Sequence, residues 1–163
     1  MKLEALFTVT DNKLIKISDN SPYPIEKLKI FEIKWSQIEL EAESYNEEYL
    51  AQLREDLKKL DDANEFALLV PQVDKSLSSP EDIELFINAY NHCARRIKDC
   101  VSVTGYALPA ELLKGGFSPD SAAQAFIDTV NIKHSQYVYF AKEEDVNNLN
   151  LKEKLQDSAI VIY

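Results

Sequence analysis

Apolar residues along this chain follow two different spacings that alternate with each other. Short continuous or alternating apolar runs, typical of strands, are separated by stretches in which apolar residues recur every three or four positions, typical of helices. From residue 28 onward the pattern predicts strands over residues 28–35, 66–70, 101–106, 137–141 and 159–163. Because strand and helix alternate strictly, we expect parallel strands joined by right-handed crossovers.

The intervening helices begin at recognisable capping residues. Asn46 can cap the first helix, and Ser79 followed by Pro80 is a typical start for the second. Residues 118–120, with the sequence Ser-Pro-Asp, predict the start of the third helix. A short fourth helix is predicted over residues 149–155.

The first residues have a different character. Two strands are predicted over residues 3–10 and 13–17, and Asp11 and Asn12 between them are typical turn residues. This segment therefore predicts an antiparallel β-hairpin. With 163 residues the chain is long enough for one domain, spanning 1–163, with the hairpin in 1–17 and the repeated β/α units in 28–163.

Two α/β architectures fit this order of elements. One is a partial (β/α) barrel, a half-barrel-like arc of about five parallel strands, because a closed barrel takes eight strands and about 250 residues. The alternative is an open doubly wound parallel sheet with helices on both faces. The order of the strands in the sheet distinguishes the two.

Composition narrows the classes of function. The net charge of −10 repels phosphate backbones, so no nucleic-acid partner is expected. The sequence has no apolar run near the roughly 18 residues that span a bilayer, and its first residues do not follow the layout of a signal peptide. We therefore expect a cytoplasmic protein that does not enter membranes.

The sequence carries few signals for cofactors. Its three glycines are too few for a dinucleotide-binding fingerprint or a phosphate-binding loop. Cys93 and Cys100, seven residues apart, do not match a metal motif. We expect neither a metal nor a cofactor.

In parallel α/β sheets, ligands bind at the carboxyl ends of the strands. Trp35 and Tyr106 fall there and can form an aromatic platform for a sugar ring, or they can be packing residues. Glu111 can act as a general acid or be an ordinary surface carboxylate. The remaining polar candidates at strand ends are Gln37, Gln72 and Lys142 and the acids Glu39, Asp74, Glu143, Glu144 and Asp145. The last three can supply a second carboxylate or a metal site, but a charged run after a strand is usually a solvated loop.

Two segments resemble barrel-type glycoside hydrolases of the cellulase-like and β-galactosidase-like kinds. Residues 31–39 and 45–50 resemble a strand that ends in tryptophan, followed by an acidic step and entry into a helix. Residues 101–111 resemble the strand that carries the general acid, and Glu111 falls on the acid position. The resemblance covers about residues 29–111. Because Ala110 replaces the asparagine typical of those enzymes, it implies barrel ancestry more strongly than hydrolysis.

These observations lead to two hypotheses about function. The first is a non-catalytic or vestigial glycosidase-like half-barrel that acts by binding, with carbohydrate as the possible ligand, or by self-association. In the latter case the last strand would pair with its twin in a homodimer. The alternative is a glycoside hydrolase-like enzyme with Glu111 as general acid and a second carboxylate from residues 143–145 or from another subunit.

Overall fold

The structure, a computed structural model, describes residues 2–163. The predicted domain begins at Met1, which lies outside the described residues. The strands in chain order are β1 (Phe7–Thr10), β2 (Lys13–Lys16), β3 (Ser21–Pro22), β4 (Lys29–Lys34), β5 (Glu39–Glu41), β6 (Ser44–Tyr45), β7 (Ala67–Gln72), β8 (Val103–Ala107), β9 (Val138–Ala141) and β10 (Ile160–Ile162).

The helices are α1 (Trp35–Ile38), α2 (Glu47–Ala63), α3 (Pro80–Arg96), α4 (Ala110–Leu113), α5 (Ala122–Asn131), α6 (Glu143–Asn148) and α7 (Lys152–Leu155). A single 3₁₀ turn, Ile25–Lys27, precedes β4. In the part of the chain that the structure describes, no helix is both long enough and apolar enough to cross a bilayer.

The central sheet contains five strands in the order β10-β9-β8-β7-β4, and every neighbouring pair is parallel. This order follows the chain without a reversal, which is the topology of an arc of a (β/α) barrel. The partial-barrel prediction is confirmed, and the alternative of a doubly wound sheet is wrong, because such a sheet needs a point where the strand order reverses. The predicted N-terminal hairpin is also present, as β1 and β2, and β3 extends it to three strands.

Alternate residues of the central strands face two separate apolar clusters. On β7, Ala67 and Leu69 pack against the helices, whereas Leu68 packs into a second cluster on the opposite, inner face of the arc. The N-terminal sheet covers that inner face. Phe7 packs edge-to-face on Phe66 with ring centroids 4.9 Å apart. The hairpin therefore covers the concave side of the arc, which in a closed barrel would face the other strands.

The hairpin turn also covers one edge of the central sheet. The Asn12 side-chain amide donates hydrogen bonds to the carbonyl oxygens of Leu155 and Ile160, each at 2.8 Å. The amide of Ile162 donates to the Asn12 carbonyl oxygen at 3.0 Å. Backbone groups on the outer edge of β10 are thus bound within the chain.

Two predicted helix caps are present and one is displaced. Asn46 accepts a hydrogen bond from the amide of Tyr49, and Ser79 accepts one from that of Asp82. The third cap is Ser121 rather than a residue of 118–120, because residues 118–120 form a turn that leads into α5. The helix predicted over 149–155 is confined to α7, Lys152–Leu155. The preceding helix α6 was not predicted, and Asn150, with a left-handed backbone (φ 54°), lies between the two helices.

Gly105 lies on β8 opposite Val138 of β9. The pairing of β8 with β7 shifts register beside it, and its φ is 156°. A Cβ atom at this position would lie 1.6 Å from the carbonyl oxygen of Val138. A side chain here therefore requires the two strands to separate.

We predict that Gly105→Ala lowers the free energy of unfolding by about 3 kcal/mol or more, because the clash involves backbone rather than a movable side chain. Urea denaturation followed by circular dichroism measures the change. Gly115→Ala is the matched control, since no atom lies within 4 Å of its Cβ position. Equal denaturation midpoints for the two variants would contradict the strand packing described here.

Candidate functional site

The carboxyl ends of β7, β8, β9 and β10 surround a groove of about 270 Å³, which we call the carboxyl-end groove. Its apolar part includes Val70, Ala107 and Tyr163, which belong to or adjoin the inner-face cluster, together with Pro71 and residues 108–110. Polar residues complete the lining. They are Gln72, Glu111, Lys142 and Asp145. The groove thus combines an aromatic surface with two carboxylates and one cation.

The turns after two neighbouring strands bring the carboxylates together. Glu111 lies in the first turn of α4, directly after β8, and its side chain is exposed. Asp145 lies in the first turn of α6, directly after β9, and is partly buried. Because parallel strands end at the same edge of a sheet, these two βα turns present their carboxylates to one groove.

Charges in the groove change the acidity of its groups. Burial raises the pKa of Asp145; Lys142 opposes this shift, while the negative charges of Glu144 and Glu111 add to it. Burial also raises the pKa of Tyr163, and the charge of Asp145 contributes. Asp145 therefore binds a proton more readily than an ordinary aspartate does.

Glu143 and Glu144 do not line the groove, although the sequence named them as candidates for the second carboxylate. Both side chains are exposed on α6, and the residue of this run that reaches the groove is Asp145. Successive residues of a helix point about 100° apart, so a run of three acids cannot face one groove. Three acids directly after a buried strand are typical of a first helical turn, and that signal could have predicted α6.

Trp35 and Glu39 form a buried polar contact at the end of β4 rather than an open binding surface. The Trp35 indole Nε1 donates to Glu39 Oε1 at 2.9 Å, and the Glu43 amide donates to Glu39 Oε2 at 3.0 Å. Lys75 Nζ lies 3.5 Å from Glu39 Oε1 and 5.2 Å from the centre of the Trp35 ring. With all of these partners inside the chain, Glu39 has a structural role.

Asp74 joins the end of β7 to the start of α1. Its carboxylate accepts hydrogen bonds from the Ser36 amide, at 3.0 Å, and from the Ser36 hydroxyl. Burial acts to raise the pKa of Asp74, but these two hydrogen bonds, the backbone amide of Asp74 and the charge of Lys34 together lower it. The carboxylate is therefore held as an anion that fixes the loop.

Tyr106 is fully buried in the helix-side core, and its hydroxyl donates to the Tyr90 carbonyl oxygen at 2.8 Å. Trp35 is 2% exposed and is separated from Tyr106 by Phe86 and Tyr90, whose rings pack in series between them. The aromatic platform predicted from Trp35 and Tyr106 therefore does not form, because both rings face the helices and not the inner side of the arc.

The aromatic residue at the groove is Tyr163, which the sequence analysis assigned only to the last strand. Alternation could have indicated its position. In residues 160–163, Ile160 and Ile162 contact the helix-side cluster, whereas Val161 and Tyr163 contact the inner-face cluster. In residues 2–163, no group of three histidine, cysteine, aspartate or glutamate side chains is placed to hold a metal ion.

An arc of parallel strands with a polar groove at their carboxyl ends defines the class: a partial (β/α) barrel with its candidate site where barrel enzymes have theirs. No protein-family model and no curated protein matches the sequence.

Solved structures of endo-glycoceramidase II from Rhodococcus sp. are similar in fold. A cellobiose-like isofagomine complex has a TM-score of 0.55 at 13% identity, covering 88% of this chain and 49% of that one. The lactosyl-enzyme intermediate has a TM-score of 0.53 at 13% identity, covering 88% and 50%. This chain thus spans about half the length of the enzyme, and at this identity the likeness extends to a glycoside hydrolase-like fold.

Asp145→Asn is predicted to stabilise the protein near neutral pH, because it removes a charge that burial disfavours. The gain should be less than about 1 kcal/mol, because the carboxylate is partly solvated and therefore screened. The folded-state pKa of Asp145 lies above its ordinary value of 3.8. Between pH 3.8 and the folded-state pKa, the folded state therefore binds more protons than the unfolded state. The free energy of unfolding falls as the pH rises through this interval.

Urea denaturation at a series of pH values measures this effect. The gain in Asp145→Asn should vanish below the ordinary aspartate pKa, where both states of the wild type are protonated. Glu143→Gln is the matched control, since it removes a carboxylate from the same helical turn outside the groove. A wild-type pH profile indistinguishable from that of Asp145→Asn would show that the groove does not perturb Asp145.

Proposed function

We propose that this chain is a non-catalytic, glycosidase-like half-barrel that binds a carbohydrate in the carboxyl-end groove. The observation that carries the proposal is the convergence of Glu111 and Asp145, from consecutive βα turns, beside the Tyr163 ring. Carboxylates accept hydrogen bonds from hydroxyl groups, and an aromatic ring packs against the apolar face of a sugar. The groove contains both kinds of contact.

The choice of a binding role over catalysis rests on how loosely Glu111 is held. Across residues 2–163, the Glu111 carboxylate makes no hydrogen bond or ion pair, and its side chain is exposed. A general acid works when its position is fixed by surrounding groups and its surroundings exclude water. A solvated, movable carboxylate is adequate for holding a hydroxyl group but poorly placed to deliver a proton to a glycosidic oxygen.

The similar structures suggest which ligands to test. One is a cellobiose-like isofagomine complex and another is a lactosyl-enzyme intermediate. A fold likeness at 13% identity does not transfer a substrate, but it makes cellobiose and lactose reasonable probes for this groove.

We predict that cellobiose or lactose binds with millimolar affinity and shifts amide resonances around Ala110 and Asp145 in NMR titrations. Glu111→Ala and Asp145→Ala should each weaken binding by about tenfold, because each removes hydrogen bonds to an ionisable group. Glu143→Ala, the control outside the groove, should bind within about twofold of wild type. Equal affinity in all four proteins, or shifts confined to another part of the chain, would contradict the assignment of the groove.

The alternative function, glycoside hydrolysis, is favoured by one observation. Glu111 is exposed while Asp145 is partly buried, and burial raises the pKa of Asp145, as is typical of a general acid. Isosteric substitutions at the same three positions decide between the two functions on aryl β-glucoside and β-galactoside substrates. We expect no turnover by the wild type. Turnover lost in Glu111→Gln and Asp145→Asn but kept in Glu143→Gln would establish the enzyme instead.

Self-association through the last strand, the other mode of action that the sequence suggests, stays a prediction. The hydrogen bonds of Asn12 weigh against it, since a twin strand must displace them to reach the β10 edge. The β4 edge carries the exposed charged residues Lys29, Glu32 and Lys34, which are typical of edges that resist pairing.

Light scattering coupled to size-exclusion chromatography tests the role of Asn12. We expect wild type to elute at the monomer mass of 18.6 kDa and Asn12→Ala to form more dimer as concentration rises, because that change frees two backbone carbonyls. Asn64→Ala, at the end of α2, is the control for an asparagine with positive φ. A wild-type dimer that persists on dilution would instead support the homodimer.

A further inference from the structure

A second cavity, of about 590 Å³, lies at the amino ends of the strands, opposite the carboxyl-end groove. It is bounded by the last turns of α3 and α5, by the segment that leads into β9, and by the first described residues. Its basic side chains are Lys2, Arg95, Lys98, Lys133 and His134. We call it the basic cavity.

The charge of the basic cavity is opposite to that of the chain. The protein has 28 acidic residues against 18 lysines and arginines, yet none of the described residues that line this cavity is acidic. Arg96 forms an ion pair with Glu47 at 2.8 Å, whereas Arg95, one residue earlier, has no carboxylate partner in residues 2–163. Cations gathered without counter-charges repel one another, and an anion between them would relieve that repulsion.

His134 supplies a buried donor at the same place. Its side chain is 4% exposed, stacks on Tyr137 with ring centroids 5.6 Å apart, and has no hydrogen bond to its ring from the described chain. Burial lowers its pKa, and the charges of Arg95, Lys2 and Lys98 lower it further. Since these three charges act on one imidazole, residues from separate segments converge on the cavity.

Two amides in the lining also have unused hydrogen-bonding capacity. The side-chain oxygens of Asn91 and Gln136 are buried without a hydrogen-bond partner in the described part of the chain. Buried polar atoms in folded proteins are nearly always paired, so unpaired ones are typical of places completed by a ligand or water. A half-turn of either amide exchanges its oxygen for a donor, so both can adapt to hydroxyl groups.

We propose that the basic cavity binds a small phosphorylated compound, with Arg95 and Lys98 holding the phosphate and Asn91 and Gln136 holding hydroxyl groups. The volume lies within the range of roughly 300–1,000 Å³ typical of small-molecule sites. A nucleic acid fits less well, because beyond this cavity it would meet a surface of net charge −10.

Stabilisation of helix ends accounts for part of this arrangement but not all of it. Arg95 and Lys98 lie at the end of α3, where cations interact favourably with the helix dipole. Lys2 is remote in sequence from any such end, and His134 is buried rather than solvated. A role in stabilising a helix end explains neither the position of Lys2 nor the burial of His134. Both residues place hydrogen-bond donors where an anion would bind.

Isothermal titration calorimetry with glucose 6-phosphate, inorganic phosphate and glucose tests the proposal on the intact chain. We expect saturable binding of glucose 6-phosphate, about tenfold weaker binding of inorganic phosphate and no binding of glucose. Arg95→Gln and Lys98→Gln should each weaken binding of glucose 6-phosphate by about tenfold, because each removes a charge-assisted hydrogen bond. Lys59→Gln, which removes the same charge from an exposed site on α2, should stay within about twofold of wild type.

Two outcomes would overturn the proposal. One is the absence of saturable binding of either phosphate compound up to about 10 mM. The other is an equal loss in Lys59→Gln and Lys98→Gln, which would mean that overall charge and not this cavity determines the affinity. Equal affinities for glucose 6-phosphate and inorganic phosphate would overturn the role given to Asn91 and Gln136. The disaccharide titrations concern the opposite end of the sheet, so either proposal can fail without the other.

Discussion

The burial of an open inner face is the constraint on which this structure depends. A closed barrel buries the inward side chains of its strands against each other, but an arc of five strands leaves Leu68, Val138, Phe140 and Val161 without opposing strands. The N-terminal sheet packs against these side chains where a closed barrel would have opposing strands, through Phe7 and Leu14. Without that cover the arc would expose a large apolar patch and an unpaired edge at β10.

This cover also determines where a ligand can bind. Phe7 and Leu14 of the N-terminal sheet pack on the inner face, and Asn12 covers the β10 edge. The inner face stays accessible at the carboxyl ends, where Val70, Ala107 and Tyr163 meet the polar ends of the βα turns. No described residue of the hairpin lines the groove, so the groove lies where the hairpin leaves the inner face uncovered.

The sequence predicted the fold better than the site, for a physical reason. Strand and helix periodicity depends on neighbouring residues, so the order of elements and caps such as Ser79 could be recognised directly. Which face of a strand a side chain occupies depends on register. Trp35 and Tyr106 were correctly placed at strand ends, but both rings face the helices, and Tyr163 holds the position at the groove. Glu111 lines the groove as the sequence suggested. In the acidic run, the helical geometry places Asp145 in the groove lining, and Glu143 and Glu144 lie outside it.

The two candidate sites share one origin in the geometry of β/α units. Each helix runs opposite to its strand, so helix starts gather at the carboxyl ends of the strands and helix ends at the amino ends. Acids in first turns, such as Glu111 and Asp145, and bases in last turns, such as Arg95, follow from this polarity. Helix polarity accounts for the sign of the charge at each site but not for which residues line it. Arg96 forms an ion pair with a carboxylate on α2, whereas Arg95 faces a cavity whose described lining has no carboxylate. Because of that difference, the amino ends of the strands are a candidate anion site and not only a set of stabilised helix ends.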